Sequence, residues 1–151
     1  MNQIKRILLV EDNAKDIELS LAAFEEQNLA NEVVVTRNGA EALDYLYRRG
    51  PFAARPEGQP AVVLLDLKMP KVDGMEVLRQ VKSDPELKTL PIVMLTSSRE
   101  EKDLVRSYQL GVNAYVVKPI DFRQLVDAVK QLGLFWAVLN EAPIGTIQKA
   151  A

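Results

Sequence analysis

Five short apolar runs, each followed by apolar residues at helical spacing, constrain the fold of this chain more than any other feature. The runs are rich in Val, Ile and Leu, as are strands that helices cover on both faces. Repeated strand–helix order is typical of a parallel α/β sheet with right-handed crossovers. The predicted strands are Ile4–Val10, Glu32–Thr36, Ala61–Asp66, Pro91–Thr96 and Ala114–Lys118.

Five strands alternating with helices predict a flavodoxin-like (βα)5 three-layer sandwich, with the parallel sheet in the order 2-1-3-4-5. Two stretches fall outside the repeat. Arg48–Pro60 is rich in Pro, Gly and Arg and is predicted to be a long exposed loop. The fifth helix is predicted to run on through Trp136 toward Leu139, and Phe135-Trp136 to pack in the core or at an interface. The apolar residues at helical spacing are Ile17, Leu21 and Phe24; Ala42, Leu43 and Leu46; Val77, Leu78 and Val81; Leu104, Val105 and Tyr108; and Phe122, Leu125, Val126, Val129 and Leu132.

Composition limits the chemistry that this chain can perform. Its 151 residues fit one domain, predicted at 1–139 with a tail at 140–151 and no separate output domain. The formal charge of -2 argues against a nucleic-acid partner, and no apolar run is long enough for a membrane span. We therefore expect a cytoplasmic protein. The chain has no cysteine and no histidine, which excludes thiol and histidine catalysis and leaves carboxylates, hydroxyls, lysines and a hard metal.

Polar residues stand where four of the predicted strands end, and these ends meet at one edge of a parallel sheet. Clustered carboxylates repel one another unless a cation intervenes, and an oxygen-only cluster suits Mg²⁺. The hydroxyl and the ammonium offer donors to an anion such as a phosphoryl group. A carboxylate can also accept that group as an acyl phosphate, from a phosphohistidine on another protein. The residues are Glu11, Asp12, Asp66, Thr96, Ser97 and Lys118.

Each of these positions has an ordinary structural explanation. Glu11-Asp12 and Thr96-Ser97 could cap the helices that follow them, and Asp66 could cap a turn. Lys118 could be a solvated strand end. Capping does not explain why all four groups fall at the same edge of one sheet, so we favour a joint site.

Four motifs together resemble the receiver domains of two-component response regulators, the CheY-like proteins. They are LLVEDN, LLDLKMPKVDG, MLTS and AYVVKP, and they occur in the expected order at four strand ends. The resemblance extends from Ile4 to about Leu134. It implies a signalling protein rather than an enzyme, phosphorylated by a sensor histidine kinase in a phosphorelay.

The resemblance assigns roles to individual residues. Asp66 matches the phospho-acceptor, and Glu11 and Asp12 match the acidic Mg²⁺ pair, joined by the backbone carbonyl of Lys68. Thr96 matches the hydroxyl that follows the phosphoryl group, and Lys118 the lysine that pairs with it. Tyr115 matches the switch aromatic. Lys68 and Ser97 lie where receivers vary, and we expect both to tune the lifetime of the acyl phosphate.

The loop Arg48–Pro60 and the segment LGLFWAVLNEAP are similar to stand-alone receivers that serve bacterial phytochromes and related hybrid kinases. This similarity implies a bacteriophytochrome as a possible partner. We expect a docking surface on the fourth helix, fifth strand and fifth helix, near Tyr108, Tyr115 and Phe122. A homodimer through that face or through the C-terminal arm is a hypothesis.

Three alternative functions remain to be weighed. An Mg²⁺-dependent aspartyl-phosphate phosphatase would carry DxDx[TV] after the first strand, whereas Asp66 follows the third and has Lys68 two residues on. A flavodoxin-type carrier needs a phosphate loop, but VEDNAKD is acidic. A receiver-like docking module that is not phosphorylated would not need the acceptor residues that are present here.

Overall fold

The structure is a computed structural model that describes residues 6–26, 32–67, 69, 71–97, 101–118 and 123. The predicted alternation of strands and helices is confirmed, and the parallel sheet has the predicted order β2-β1-β3-β4-β5. The predicted fifth helix lies outside the described residues, apart from Arg123. The described elements are β1 (Arg6–Val10), α1 (Ala14–Glu26), β2 (Glu32–Thr36), α2 (Gly39–Tyr47), a 3₁₀ turn (Gly50–Phe52), β3 (Val62–Leu65), α3 (Gly74–Ser83), β4 (Ile92–Thr96), α4 (Glu101–Gln109) and β5 (Ala114–Val117).

The central strands are buried on both faces, which explains their continuous apolar sequence. Side chains of a strand alternate between faces. Leu8 and Val10 of β1 belong to the core that also holds the inner sides of α2 and α3. Ile7 and Leu9 belong to the opposite core, together with Phe24 of α1. The two cores fix β1 and β3 at the centre of the molecule.

The helical spacing identified four helices correctly but not every buried side chain. All the predicted apolar positions of α2 and α3 are buried. In α1, however, Leu21 is 37% exposed and Ser20 is buried. In α4, Leu104 and Tyr108 are 37% and 51% exposed, and Ser107 is fully buried. The apolar stripe of α4 therefore faces outward in part.

The loop at Arg48–Pro60 is largely exposed, as predicted, but a buried arginine lies at its centre. The Arg55 guanidinium stacks over the ring of Tyr45 at 4.2 Å. Its Nε donates to the carbonyl oxygen of Tyr45 at 2.7 Å, and its Nη1 donates to those of Pro56 and Gly58 at 2.8 Å. These bonds satisfy the guanidinium without a carboxylate, which Pro/Gly/Arg composition alone does not reveal.

Two glycines let the loops at the carboxyl edge of the sheet pack closely. Gly39 begins α2, and its N–H donates to the Val72 carbonyl oxygen at 3.0 Å. A Cβ at Gly39 would lie only 2.0 Å from that oxygen. A Cβ at Gly74 would lie 2.1 Å from the carbonyl oxygen of Asp66. The loop after β3 is therefore held against α2 and against the end of its own strand.

Replacing Gly39 with alanine tests this close packing. We expect Gly39→Ala to lower the free energy of unfolding by about 1–3 kcal/mol or more, because the new methyl group forces the backbone of Val72 to move. Ala22→Ser adds one heavy atom at an exposed position of α1 and should cost about 0.5 kcal/mol. Urea unfolding of both variants measures the difference, and equal losses would contradict the close approach.

Candidate functional site

The register of the sheet brings the strand ends together. Val10 of β1 pairs with Leu65 of β3, so the next residues, Glu11 and Asp66, lie side by side. The Asp66 N–H donates to the Val10 carbonyl oxygen at 3.0 Å. On the other side of β1, the Glu11 N–H donates to the carbonyl oxygen of Thr36 at 3.0 Å. Backbone pairing thus continues one residue past each strand and fixes both acidic residues.

Three carboxylates form one cluster at this edge. Single carboxylate oxygens of Glu11, Asp12 and Asp66 all lie within 4.8 Å of one another. Glu11 and Asp66 are only 2% and 7% exposed, whereas Asp12 is exposed and leaves the cluster open to solvent. An oxygen-only set with one open side has the chemistry of a site for a hard divalent cation that keeps part of its water shell.

Lys118 supplies a positive charge directly beside these carboxylates. Its Nζ forms a short hydrogen bond with Glu11 Oε1 and lies 3.0 Å from Asp16 Oδ2 and 3.6 Å from Asp66 Oδ2. The Lys118 side chain is 11% exposed. A mostly buried ammonium offsets part of the negative charge and provides a donor for an anion bound next to Asp66.

Burial and charge raise the pKa values of two neighbouring groups, Asp66 and Lys118. Burial raises the pKa of Asp66 to about 7; Lys118 opposes the shift, and the neighbouring carboxylate of Glu11 adds to it. Burial alone would lower the pKa of Lys118. The hydrogen bonds to Glu11 and Asp16 and the charge of Asp66 outweigh it and raise this pKa above its ordinary value. In the metal-free protein, Lys118 is therefore a stable cation and Asp66 titrates near neutral pH.

Three further predicted site residues lie on, or directly after, β4 and β5. Thr96 ends β4, is 2% exposed, and its carbonyl oxygen accepts the Lys118 N–H at 2.8 Å. Ser97 is exposed beside it. Tyr115 of β5 is half-buried against the core and pairs with Met94 of β4. Thr96 and Tyr115 thus lie on the two strands that precede and follow α4 in the chain.

The loop after Asp66 leads into α3. Asp73 caps α3, since its side chain accepts the N–H of Glu76 at 3.0 Å. The Gly74 N–H donates to the carbonyl oxygen of Leu67 at 2.8 Å. The predicted carbonyl ligand, Lys68, lies outside the described residues.

The sequence matches the profile of the response regulator receiver domain over residues 7–130. This chain belongs to the response regulator receiver family. Response regulator Rcp1 of Synechocystis sp. is 38% identical over 135 residues, which cover 89% of this chain and 90% of that protein. The family assignment agrees with the resemblance carried by the four strand-end motifs, and it places the chain among signalling proteins.

Solved structures of phytochrome response regulators have the same fold. The bacteriophytochrome response regulator AtBRR is 63% identical, with a TM-score of 0.84 over 92% of this chain and 99% of that one. The phosphorylated cyanobacterial phytochrome response regulator RcpA is 44% identical, with a TM-score of 0.74 over 89% and 94%. The Mn²⁺-bound form of Rcp1 is 38% identical, with a TM-score of 0.73 over 88% and 94%.

The structure brings four of the predicted site residues together, Glu11, Asp12, Asp66 and Lys118, and it adds one. Asp16, in the first turn of α1, contacts Lys118, although sequence reasoning did not select it. The available signal was its position four residues after Asp12, where one helical turn returns toward the sheet edge.

No described helix of this receiver is long and apolar enough to cross a membrane.

The raised pKa of Asp66 predicts a pH-dependent gain in stability when its charge is removed. The folded protein holds the Asp66 proton up to about pH 7, whereas the unfolded chain releases it near its ordinary pKa of 3.8. The stability that Asp66 provides is therefore full below pH 3.8 and is lost as the pH rises toward 7.

In a chelating buffer, Asp66→Asn should exceed the wild type in unfolding free energy by at least ~1 kcal/mol at pH 8 and by less at pH 5. Urea unfolding at both pH values measures this difference. Glu86→Gln removes the negative charge of an exposed side chain. It should change the free energy of unfolding by no more than about 0.5 kcal/mol at either pH. A pH-independent effect of Asp66→Asn would contradict the shifted pKa.

Proposed function

We propose that this receiver accepts a phosphoryl group on Asp66 from the phosphohistidine of a partner kinase, in a phosphorelay that depends on Mg²⁺. The single observation that carries the proposal is the position of Asp66: a nearly buried carboxylate beside Glu11, Asp12 and Lys118. Capping or turn formation does not require that combination. A carboxylate nucleophile beside a lysine and an acidic cluster that could hold a metal ion is suited to acyl-phosphate formation.

The chemistry assigns a step to each of these groups. An Oδ atom of ionised Asp66 attacks the phosphorus, a P–O bond forms, and the P–N bond to the partner's histidine breaks. Lys118 donates a hydrogen bond to a phosphoryl oxygen and offsets its charge. Because ionised Asp66 is the nucleophile, groups that lower its pKa favour the reaction at neutral pH.

Glu11, Asp12 and Asp66 are the residues that would hold Mg²⁺, and their oxygen-only, partly open arrangement fits its preferences. The backbone carbonyl of Lys68 is a further proposed ligand. When bound, the cation would neutralise charge on the carboxylates and on the transferred group. The Mn²⁺-bound structure of the relative Rcp1 supports the choice of a divalent metal.

The residues around the acceptor carry the switching and timing roles in this proposal. Thr96 follows the phosphoryl group, and Tyr115 on the adjacent strand responds to its movement. Lys68 and Ser97 tune the lifetime of the acyl phosphate. The burial of Thr96 and the half-burial of Tyr115 support a coupled change, since a buried hydroxyl cannot move without displacing its neighbours.

The partner in this proposal is a sensor histidine kinase, with a bacteriophytochrome as the specific candidate. The names of AtBRR and RcpA, at 63% and 44% identity, support that choice. Residues 1–139 are proposed to act as the receiver with 140–151 as a tail, in the cytoplasm. Self-catalysed phosphorylation and dephosphorylation are the only reactions that we assign to the chain.

The output is proposed to be a docking surface on α4, β5 and the fifth helix, used for partner binding or a homodimer. Leu104 and Tyr108 support it, because two large apolar side chains four residues apart are exposed on α4. The predicted contribution of Phe122 lies outside the described residues. The C-terminal arm is the alternative dimer contact.

Phosphorylation of the purified protein tests the central step. Incubation with Mg²⁺ and a small acyl-phosphate donor should add the mass of one phosphoryl group, in a linkage that is acid-stable and base-labile. The gain should disappear in Asp66→Asn and in excess chelator. Asp73→Asn is the matched control, since asparagine caps α3 equally well and should leave the mass gain intact. A gain that persists in Asp66→Asn would exclude Asp66 as the acceptor.

Light scattering tests the docking surface. We expect phosphorylated wild type to form a dimer and Tyr108→Ala to weaken it by ~10-fold or more, because buried tyrosines contribute strongly to interfaces. Tyr47→Ala removes a 38% exposed tyrosine from α2 and should leave the dimer unchanged. A dimer that Tyr108→Ala does not affect would favour the C-terminal arm, and a monomeric wild type would exclude the homodimer.

A further inference from the structure

Asp16 lies on α1, outside the acidic cluster, and contacts the lysine of the site. Asn13 caps α1, since its Oδ1 accepts the Asp16 N–H at 3.0 Å. Asp16 is therefore the third residue of the first helical turn. Its Oδ2 lies 3.0 Å from Lys118 Nζ, and its side chain is 36% exposed. The contact joins the first turn of α1 to the end of β5.

An acidic residue at this helix position commonly reaches back to the N–H of the capping residue. Here the Asn13 N–H donates to Glu11 Oε2 at 3.2 Å instead. Glu11 therefore takes the capping-box role, and the carboxylate of Asp16 turns toward Lys118. Helix capping does not account for its orientation.

Lys118 has two closer carboxylates than the proposed acceptor. Its Nζ hydrogen-bonds to Glu11 and to Asp16, whereas Asp66 Oδ2 lies at 3.6 Å, beyond hydrogen-bond distance. An ammonium has three donors, and two of them already bond to Glu11 and Asp16. A phosphoryl group on Asp66 needs that same ammonium.

We propose that Asp16 is a positioning residue that holds the Lys118 ammonium away from Asp66 in the resting protein, so that a phosphoryl group must compete with Asp16 for it. The inference rests on the proposed phospho-acceptor role of Asp66. Glu11 belongs to the acidic cluster and would be attracted to a bound cation, which leaves Asp16 as the competing carboxylate. The strength of this one ion pair sets how readily the site retains a phosphoryl group.

Removing the charge of Asp16 should favour a phosphoryl analogue for two reasons. Lys118 loses a competing partner, and the pocket loses one of the four carboxylates that repel the incoming anion. Because Asp16 is partly exposed, the effect is that of a screened ion pair, on the order of threefold to fivefold in affinity. Asp16→Asn keeps the backbone bonds to Asn13 and Ser20, so α1 should stay folded.

Beryllofluoride binding, measured by isothermal titration calorimetry on the full chain at saturating Mg²⁺, tests the inference. Asp16→Asn should bind about threefold to fivefold more tightly than the wild type. Asp16→Glu keeps the carboxylate and should restore wild-type affinity. Glu18→Gln removes an exposed charge from the same helix and should change affinity by less than about twofold, which separates the contact with Lys118 from long-range charge.

Unchanged or weaker binding in Asp16→Asn would overturn the inference, as would an equal gain in Glu18→Gln. A merely structural role would instead lower the melting temperature without tightening the complex, which also overturns it. Failure of the wild type to bind beryllofluoride would count against the proposed phospho-acceptor function itself. The two failures are therefore distinguishable.

Discussion

The placement of Asp66 at the end of a buried strand is the constraint on which the rest of the site depends. A carboxylate that is 7% exposed and adjacent to Glu11 carries a large desolvation cost. The fold offsets part of that cost with Lys118 and leaves the remainder as a raised pKa. A bound divalent ion would supply the positive charge that the pocket lacks.

The architecture keeps the carboxylates of the pocket close together although they repel one another. The ladders of β1 with β2 and β3 continue past the strands and fix the backbones of Glu11 and Asp66. Gly39 and Gly74 allow the neighbouring loops to close over the edge without a side chain in the way. A pocket that carries three carboxylates can persist because the two cores below it bury the strands from which they extend.

The fold was predictable because its signal is periodic and repeated. Strands such as Val62–Leu65 are continuous apolar runs, and a parallel sheet is the arrangement that buries them on both faces. The acidic cluster was predictable because parallel strands end at one edge. The Asp16 contact was not, since it depends on which way one side chain turns in the first turn of α1. Arg55 was missed because the carbonyl groups that satisfy it become neighbours only in the folded loop.

A crystal structure with Mn²⁺ and beryllofluoride tests the central claim most directly, because the anomalous signal of manganese identifies the metal position. The account predicts manganese bound by Glu11, Asp12 and Asp66, beryllium joined to an Oδ atom of Asp66, and Lys118 Nζ within hydrogen-bond distance of a fluorine. Manganese away from these carboxylates, or beryllium on any other residue, would contradict it.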